Sequence, residues 1–183
     1  MRRWGLMLGT VTAAMLACGG TCEAQGTAQV ANPVTTTVKE MLPRYEKNMV
    51  GAAELMPAEK FGFKPTPEMM TFGHLAMHIA QSNDFLCAKI SGKEAPKVEL
   101  KDTDSKEKLV EALKASFAYC SEALAGVDDS KLGDSLPWFG GRTTSRAGAL
   151  IGLTDDWYDH YSAQAVYLRL NGILPPTARH AMK

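Results

Sequence analysis

From Val34 onward the apolar positions fall at Val34, Val38, Met41, Leu42, Tyr45, Met49, Ala52, Ala53 and Met56, three or four residues apart, the period of one helix face. Pro43 lies inside this run and removes a backbone donor, so a kink or a restart is expected there. The stretch from Pro57 to Pro67 is rich in proline and reads as a loop, with Phe61 and Phe63 tucked beneath it. A second helix begins either at Thr66, with Pro67 as its first residue, or at Thr71. Phe72, Leu75, Ile79, Phe85, Leu86 and Ile90 mark its apolar surface, and Ser91-Gly92 ends it. A charged loop leads to Asp104, the expected cap of a third helix striped with Leu109, Leu113, Phe117 and Leu124 and stopped by Gly126. The connection from Gly126 to Arg142 is long, and such connections in a compact domain are commonly functional or cross the domain. The last helix is expected from about Thr144 to Asn171-Gly172, with Pro175-Pro176 preventing continuation. No alternating strand pattern and no internal repeat is visible. The pattern therefore predicts an all-α fold, a four-helix bundle with one or two long connections.

The first residues change this picture. Arg2 and Arg3 precede an apolar and small-residue run from Trp4 to Ala17, shorter than the roughly 20 residues a membrane-spanning helix needs. That is the plan of a secretory signal peptide. Cys22-Glu23-Ala24 supplies small residues around a cleavage site before Gln25. A competing reading takes Met15-Leu16-Ala17-Cys18 as a lipobox, with a lipid anchor at Cys18. The expected organisation is a signal peptide over 1–24, a flexible leader over 25–33, the bundle over 34–176 and a tail over 177–183. The protein is then exported, to the periplasm or beyond the cell. Cleavage removes Arg2, Arg3 and Glu23 from 20 basic and 20 acidic residues, leaving 18 and 19 and a net charge near −1. Nucleic acid asks for a basic face, so none is expected as a partner. No second apolar stretch is long enough to cross a membrane. Cys87 and Cys120 remain after cleavage. In an oxidising compartment they can form a bridge between helices two and three, or serve as small buried residues.

Three of the four histidines lie in predicted helices. His74 and His78 are four apart on helix two and share a face. Asp156 and His160 do the same on helix four, and Gln164 and Tyr167 continue that stripe. Asp159 is about 100° away around the helix, so with Asp155 it reads as solvated surface. Bundles build metal sites from side chains on facing helices, and imidazole with carboxylate suits zinc, nickel, iron or manganese. Trp157, Tyr158 and Tyr161 read as core aromatics beside this set. Cys87 is nine residues beyond His78, about 14 Å along the helix axis, too far to join it.

The chain resembles the DinB-like superfamily of four-helix-bundle metalloproteins. The resemblance runs from about Val34 to Pro176. It rests on Ala53-Glu54-Leu55-Met56-Pro57, on Phe63-Lys64-Pro65-Thr66-Pro67-Glu68, and on the segment from Thr71 through His74 and His78 to Ala80. It continues in Asp159-His160-Tyr161 and in Tyr167-Leu168-Arg169-Leu170-Asn171-Gly172 with the following Ile173-Leu174-Pro175-Pro176. It implies a metal triad of one histidine on helix two and a His-x-x-x-His pair on helix four. His78 sits where the first belongs and His160 where the last belongs. Asp156 occupies the remaining place, where the family most often has histidine. Two histidines and a carboxylate still bind a divalent ion, with zinc or nickel ahead of iron or manganese; the change equally fits a different metal or a lost one. His74 either joins as a fourth ligand or, at the third position after a Thr71 cap, reaches back to that cap. His180 falls in the tail and is expected to be solvated.

Two functions follow from the resemblance. One is a metal-dependent transferase or hydrolase that activates a thiol or water and acts on an unknown small molecule. Export sets that substrate apart from the cytosolic thiols that relatives use. The other is a non-catalytic bundle, a binding or dimerisation module with a degenerate metal site, in which Trp138-Phe139 supports a homodimer.

Overall fold

A computed structural model of the protein describes residues 29–180, and the signal-peptide, lipobox and Gln25 expectations lie outside the described residues. Four long helices make up the fold: α1 Pro33–Leu55, α2 Phe72–Ser91, α3 Lys106–Ala125 and α4 Arg146–Leu170. A short α5, Pro176–His180, follows the Pro175-Pro176 stop. Between α3 and α4 stands a two-stranded antiparallel hairpin, β1 Ser135–Pro137 and β2 Thr143–Ser145, with Leu136 opposite Thr144. No helix among the described residues is long and apolar enough to cross a membrane.

The helix ends follow local chemistry. Pro33 sits in the first turn of α1, where its missing N–H is no loss. The cap comes from afar: the Asp129 carboxylate accepts from Val34 N–H at 3.0 Å and Thr35 N–H at 2.9 Å. Pro43 does not break α1, which runs continuously through it. Thr71 caps α2 by accepting from His74 N–H, so the alternative start at Thr66 is not used. The cap of α3 is Ser105 rather than the expected Asp104. Asp104 instead takes the Lys101 N–H and pairs with Lys108 at 2.8 Å, a position one residue too early to cap. Ser145 caps α4.

Each helix touches two others: α1 packs on α3 and α4, and α2 packs on α3 and α4. Contacts along the interfaces give the directions. Asn83 meets Ser116 and Cys87 meets Cys120, so α2 and α3 run parallel. His78 meets His160 while Arg146 donates to the Ile90 carbonyl, so α2 and α4 run antiparallel. Parallel neighbours need a return crossover, and residues 93–104 supply it as an extended strap. Its far end passes close to α2, where a Cβ on Gly73 would lie only 3.0 Å from the Asp102 carbonyl oxygen.

The core is continuous, with Trp157, Phe72, Phe117, Met49, Ile79 and Leu153 fully buried. Phe61 is buried and Phe63 half-buried under the proline-rich loop, against Phe72 and Tyr167. One polar contact runs through the centre. Asn83 accepts from the Trp157 indole N–H at 2.7 Å and donates to Ser116 Oγ at 3.0 Å, with all three residues buried. Tyr158 departs from its expected place in the core and is 64 % exposed. Ile151, Val166 and Leu170 are exposed on the same helix, so α4 carries apolar residues all round and its sequence does not tell inside from outside.

Cys87 and Cys120 are both buried and form a disulfide, with Cα atoms 5.2 Å apart. It closes a separation of 33 residues, worth about 3–4 kcal/mol in the chain-entropy account. Replacing both cysteines by alanine should lower the denaturant midpoint by the equivalent of that amount, measured by urea unfolding. An unchanged midpoint would show that the bridge does not constrain the unfolded chain.

Candidate metal centre

His78 comes from the middle of α2, and Asp156 and His160 from the middle of α4. The spacing of four places the last two on one face, and the antiparallel α2 presents His78 to them. One donor atom from each of the three residues lies within 4.8 Å of the others. The two imidazole rings stand 4.9 Å apart, centroid to centroid. All three side chains are half-buried. The structure thus brings together the three residues that the resemblance singled out.

His160 is oriented from its own helix. Its Nδ1–H donates to the Asp156 carbonyl oxygen at 2.7 Å, which leaves the Nε2 lone pair free. Asp156 Oδ2 lies 3.4 Å from the same Nδ1, in ion-pair contact, yet it is shut off from solvent without a hydrogen bond. A buried carboxylate oxygen left in this state is costly, and a cation beside it would offset the cost. Burial pushes the His78 imidazole below its ordinary range; His160 and His74 add to this against the opposing charge of Asp156. Burial alone would lower His160 too, but the nearby Asp156 carboxylate and the hydrogen bond to the Asp156 carbonyl outweigh it and raise that imidazole. The donor set fits a divalent ion: a neutral His78, an oriented His160 and an unpartnered carboxylate oxygen.

The other candidates separate from this group. His74 turns to the strap, with Nδ1 3.5 Å from Asp102. It neither joins the donors nor reaches back to Thr71. Gln164 is buried and donates to the Met49 carbonyl at 3.4 Å, and Tyr167 donates to the Met70 carbonyl at 2.7 Å. Asp155 and Asp159 are exposed. The His180 side chain lies outside the described residues.

The hairpin tip, whose apolar residues the sequence reading took as support for a homodimer, also lines a cleft beside this group. A cleft of about 420 Å³ opens onto His78 and Asp156, walled by Phe85, Leu86, Trp138 and Phe139. Phe139 stacks on Phe85 at 5.1 Å. Gly140 and Gly141, with φ of 64° and 73°, turn the chain at the tip as few other residues could. Trp138 rests on α4 at Gly152, where a Cβ would come within 3.3 Å of the indole. Gly152 is four residues before Asp156, so the row Gly148-Gly152-Asp156-His160 was visible as small residues leading into donors.

The DinB superfamily model matches residues 41–161. A DinB-like protein from Bacillus cereus is 19% identical with a TM-score of 0.66, over 77% of this chain and 95% of that one. A DinB-like protein from Bacillus subtilis is 18% identical with a TM-score of 0.62, over 74% and 92%. A mycothiol-dependent maleylpyruvate isomerase is 18% identical with a TM-score of 0.58, over 70% of this chain and 59% of its own. At these identities the likeness is one of fold. No curated protein matches the chain.

His160→Ala should weaken zinc binding roughly 100-fold or more, whereas His74→Ala should change it less than about threefold. Asp156→His should shift preference among zinc, nickel and manganese while keeping binding. Competition titrations with a chromophoric chelator measure all three; a His74 effect equal to that of His160 would contradict the assignment of donors.

A ligating imidazole has to be neutral, and His160 holds its proton more tightly than an ordinary imidazole. Zinc affinity should therefore rise steadily between about pH 6 and pH 8, with proton release on binding. Calorimetry in buffers of different ionisation heat counts those protons, and a flat profile would count against His160 as a ligand.

Proposed function

This chain belongs to the DinB superfamily, and on that premise we propose that it is an exported, metal-dependent transferase or hydrolase. The observation that carries the reading is the convergence of His78, Asp156 and His160, of which His78 and Asp156 line an aromatic-walled cleft. Zinc or nickel suits two imidazoles and one carboxylate. When bound, such an ion supplies the Lewis acidity that makes a water or a thiol acidic near neutral pH.

The residues of the chain would do the rest. His78 and His160 offer nitrogen lone pairs, and the Asp156 carbonyl holds the His160 ring in one tautomer. Asp156 brings the negative charge that offsets a cation. Phe85, Leu86, Trp138 and Phe139 exclude water and take an apolar part of the substrate, while Gln81 and Ser82 give the cleft its polar edge. The thiol branch draws support from the mycothiol-dependent isomerase among the similar folds, which is by its name thiol-dependent. Export draws support from the buried disulfide, a feature of oxidising compartments.

Cobalt-substituted protein tests the reading. Adding an aromatic thiol such as benzyl mercaptan should produce sulfur-to-cobalt charge-transfer absorption in the near ultraviolet. Trp138→Ala should weaken that thiol's binding about tenfold through lost apolar contact while leaving cobalt affinity unchanged. If purified protein carries no metal and takes up none from zinc, nickel or manganese, the bundle is a binding module whose metal chemistry has been lost.

A further inference from the structure

The strap of residues 93–104 covers a second cleft that shares no lining residue with the one at His78 and Asp156, and it is independent of the metal assignment. It lies over the groove between α2 and α3 and holds about 330 Å³, near the lower end of the range for small-molecule sites. Pro96, Val98 and Leu100 alternate with Lys97, Glu99 and Lys101, so an extended strap places its apolar side chains on one face. They wall the cleft together with Ala112 and Ala115 of α3 and with Asp84 of α2. Asp84 is six residues from His78, about 120° around the helix, on the flank turned to α3 rather than α4.

Among the described residues no hydrogen bond or ion pair engages the Asp84 side chain. Its Oδ1 is shut off from solvent with no hydrogen-bond partner. Burial alone, with no neighbouring charge or donor contributing, pushes its carboxyl up to about 6. Lys108, the cation on the same wall, is already taken by Asp104 at 2.8 Å. An ionised carboxylate in an apolar cleft without a counter-charge is destabilising unless something pairs with it.

We propose that the cleft beneath the strap binds a small molecule with an apolar body and a protonated primary amine, whose ammonium meets the Asp84 carboxylate. The apolar walls take the body, and the unpaired charge selects the head.

The test is a titration of isotope-labelled protein followed by two-dimensional NMR, with n-hexylammonium as probe and n-hexanol and hexanoate as neutral and anionic controls. Hexylammonium should give saturable shifts at the amides of the strap and around Ala112. Hexanol and hexanoate should bind at least about tenfold more weakly, as expected for loss of one charge-assisted contact. Asp84→Asn should bring hexylammonium down to the level of hexanol. Ala112→Leu, which fills the cleft and leaves the charge in place, should remove the strap shifts. Equal affinity for hexanol, an unchanged Asp84→Asn variant, persistence of the shifts in Ala112→Leu, their appearance at Trp138 and Phe139 instead, or no saturable shift at all would each overturn the proposal.

Discussion

Asn83 is the contact on which the register of three helices depends. Its side chain accepts from Trp157 on α4 and donates to Ser116 on α3, away from water. Each such bond contributes only about 1 kcal/mol net, but breaking one in the interior strands a polar group at a cost of about 1–3 kcal/mol. The helices are therefore not free to slide or roll past one another as greasy cylinders would be. Trp157 directly follows Asp156, and Asn83 lies five residues beyond His78. Fixing the indole fixes the roll of α4, and with it the direction in which Asp156 and His160 point. The candidate metal centre owes its shape to a hydrogen bond away from its three side chains.

The parallel run of α2 and α3 is the second constraint. Antiparallel helices need only a short turn, but these two need a strap that travels back along the bundle. The disulfide then joins the pair from within, at Cys87 and Cys120, where no short connection restrains them. The strap also leaves space beneath it, because an extended segment with small alanines below it does not fill a groove as a helix would. Crossover, bridge and second cleft are consequences of one choice of direction.

Much of this was legible in the sequence, and the gaps have physical causes. Period and caps located the four helices, because Thr71, Gly92 and Gly126 act through local chemistry. That His78, Asp156 and His160 come together was legible because spacing by four is a rule of helix geometry and the surrounding motifs resemble one family. The cap of α3 was misplaced by one residue, since Asp104 and Ser105 are both good caps and Asp104 is held instead by its contacts with Lys101 and Lys108. The hairpin strands are too short to show alternation. Tyr158 could not be placed, because α4 bears apolar residues on every side. Asn83 gave no sign at all: a buried asparagine becomes meaningful only when its partners, far apart in sequence, are known. Trp138 and Phe139 were noticed as an apolar loop, but their seat on α4 was not legible, because Gly152, the residue that receives the indole, is silent by itself.

The division between helix and hairpin around the first cleft has an evolutionary corollary. The candidate donors stand on helices clamped through the core, while Trp138 and Phe139 of the aromatic wall hang on a tip of a few residues turned by Gly140 and Gly141. Mutation can remodel that tip, lengthen it or exchange its rings without retuning the donors. A lineage holding this scaffold could thus diversify what it admits while inheriting what it holds, and a designer could do the same by grafting loops between Leu136 and Thr144.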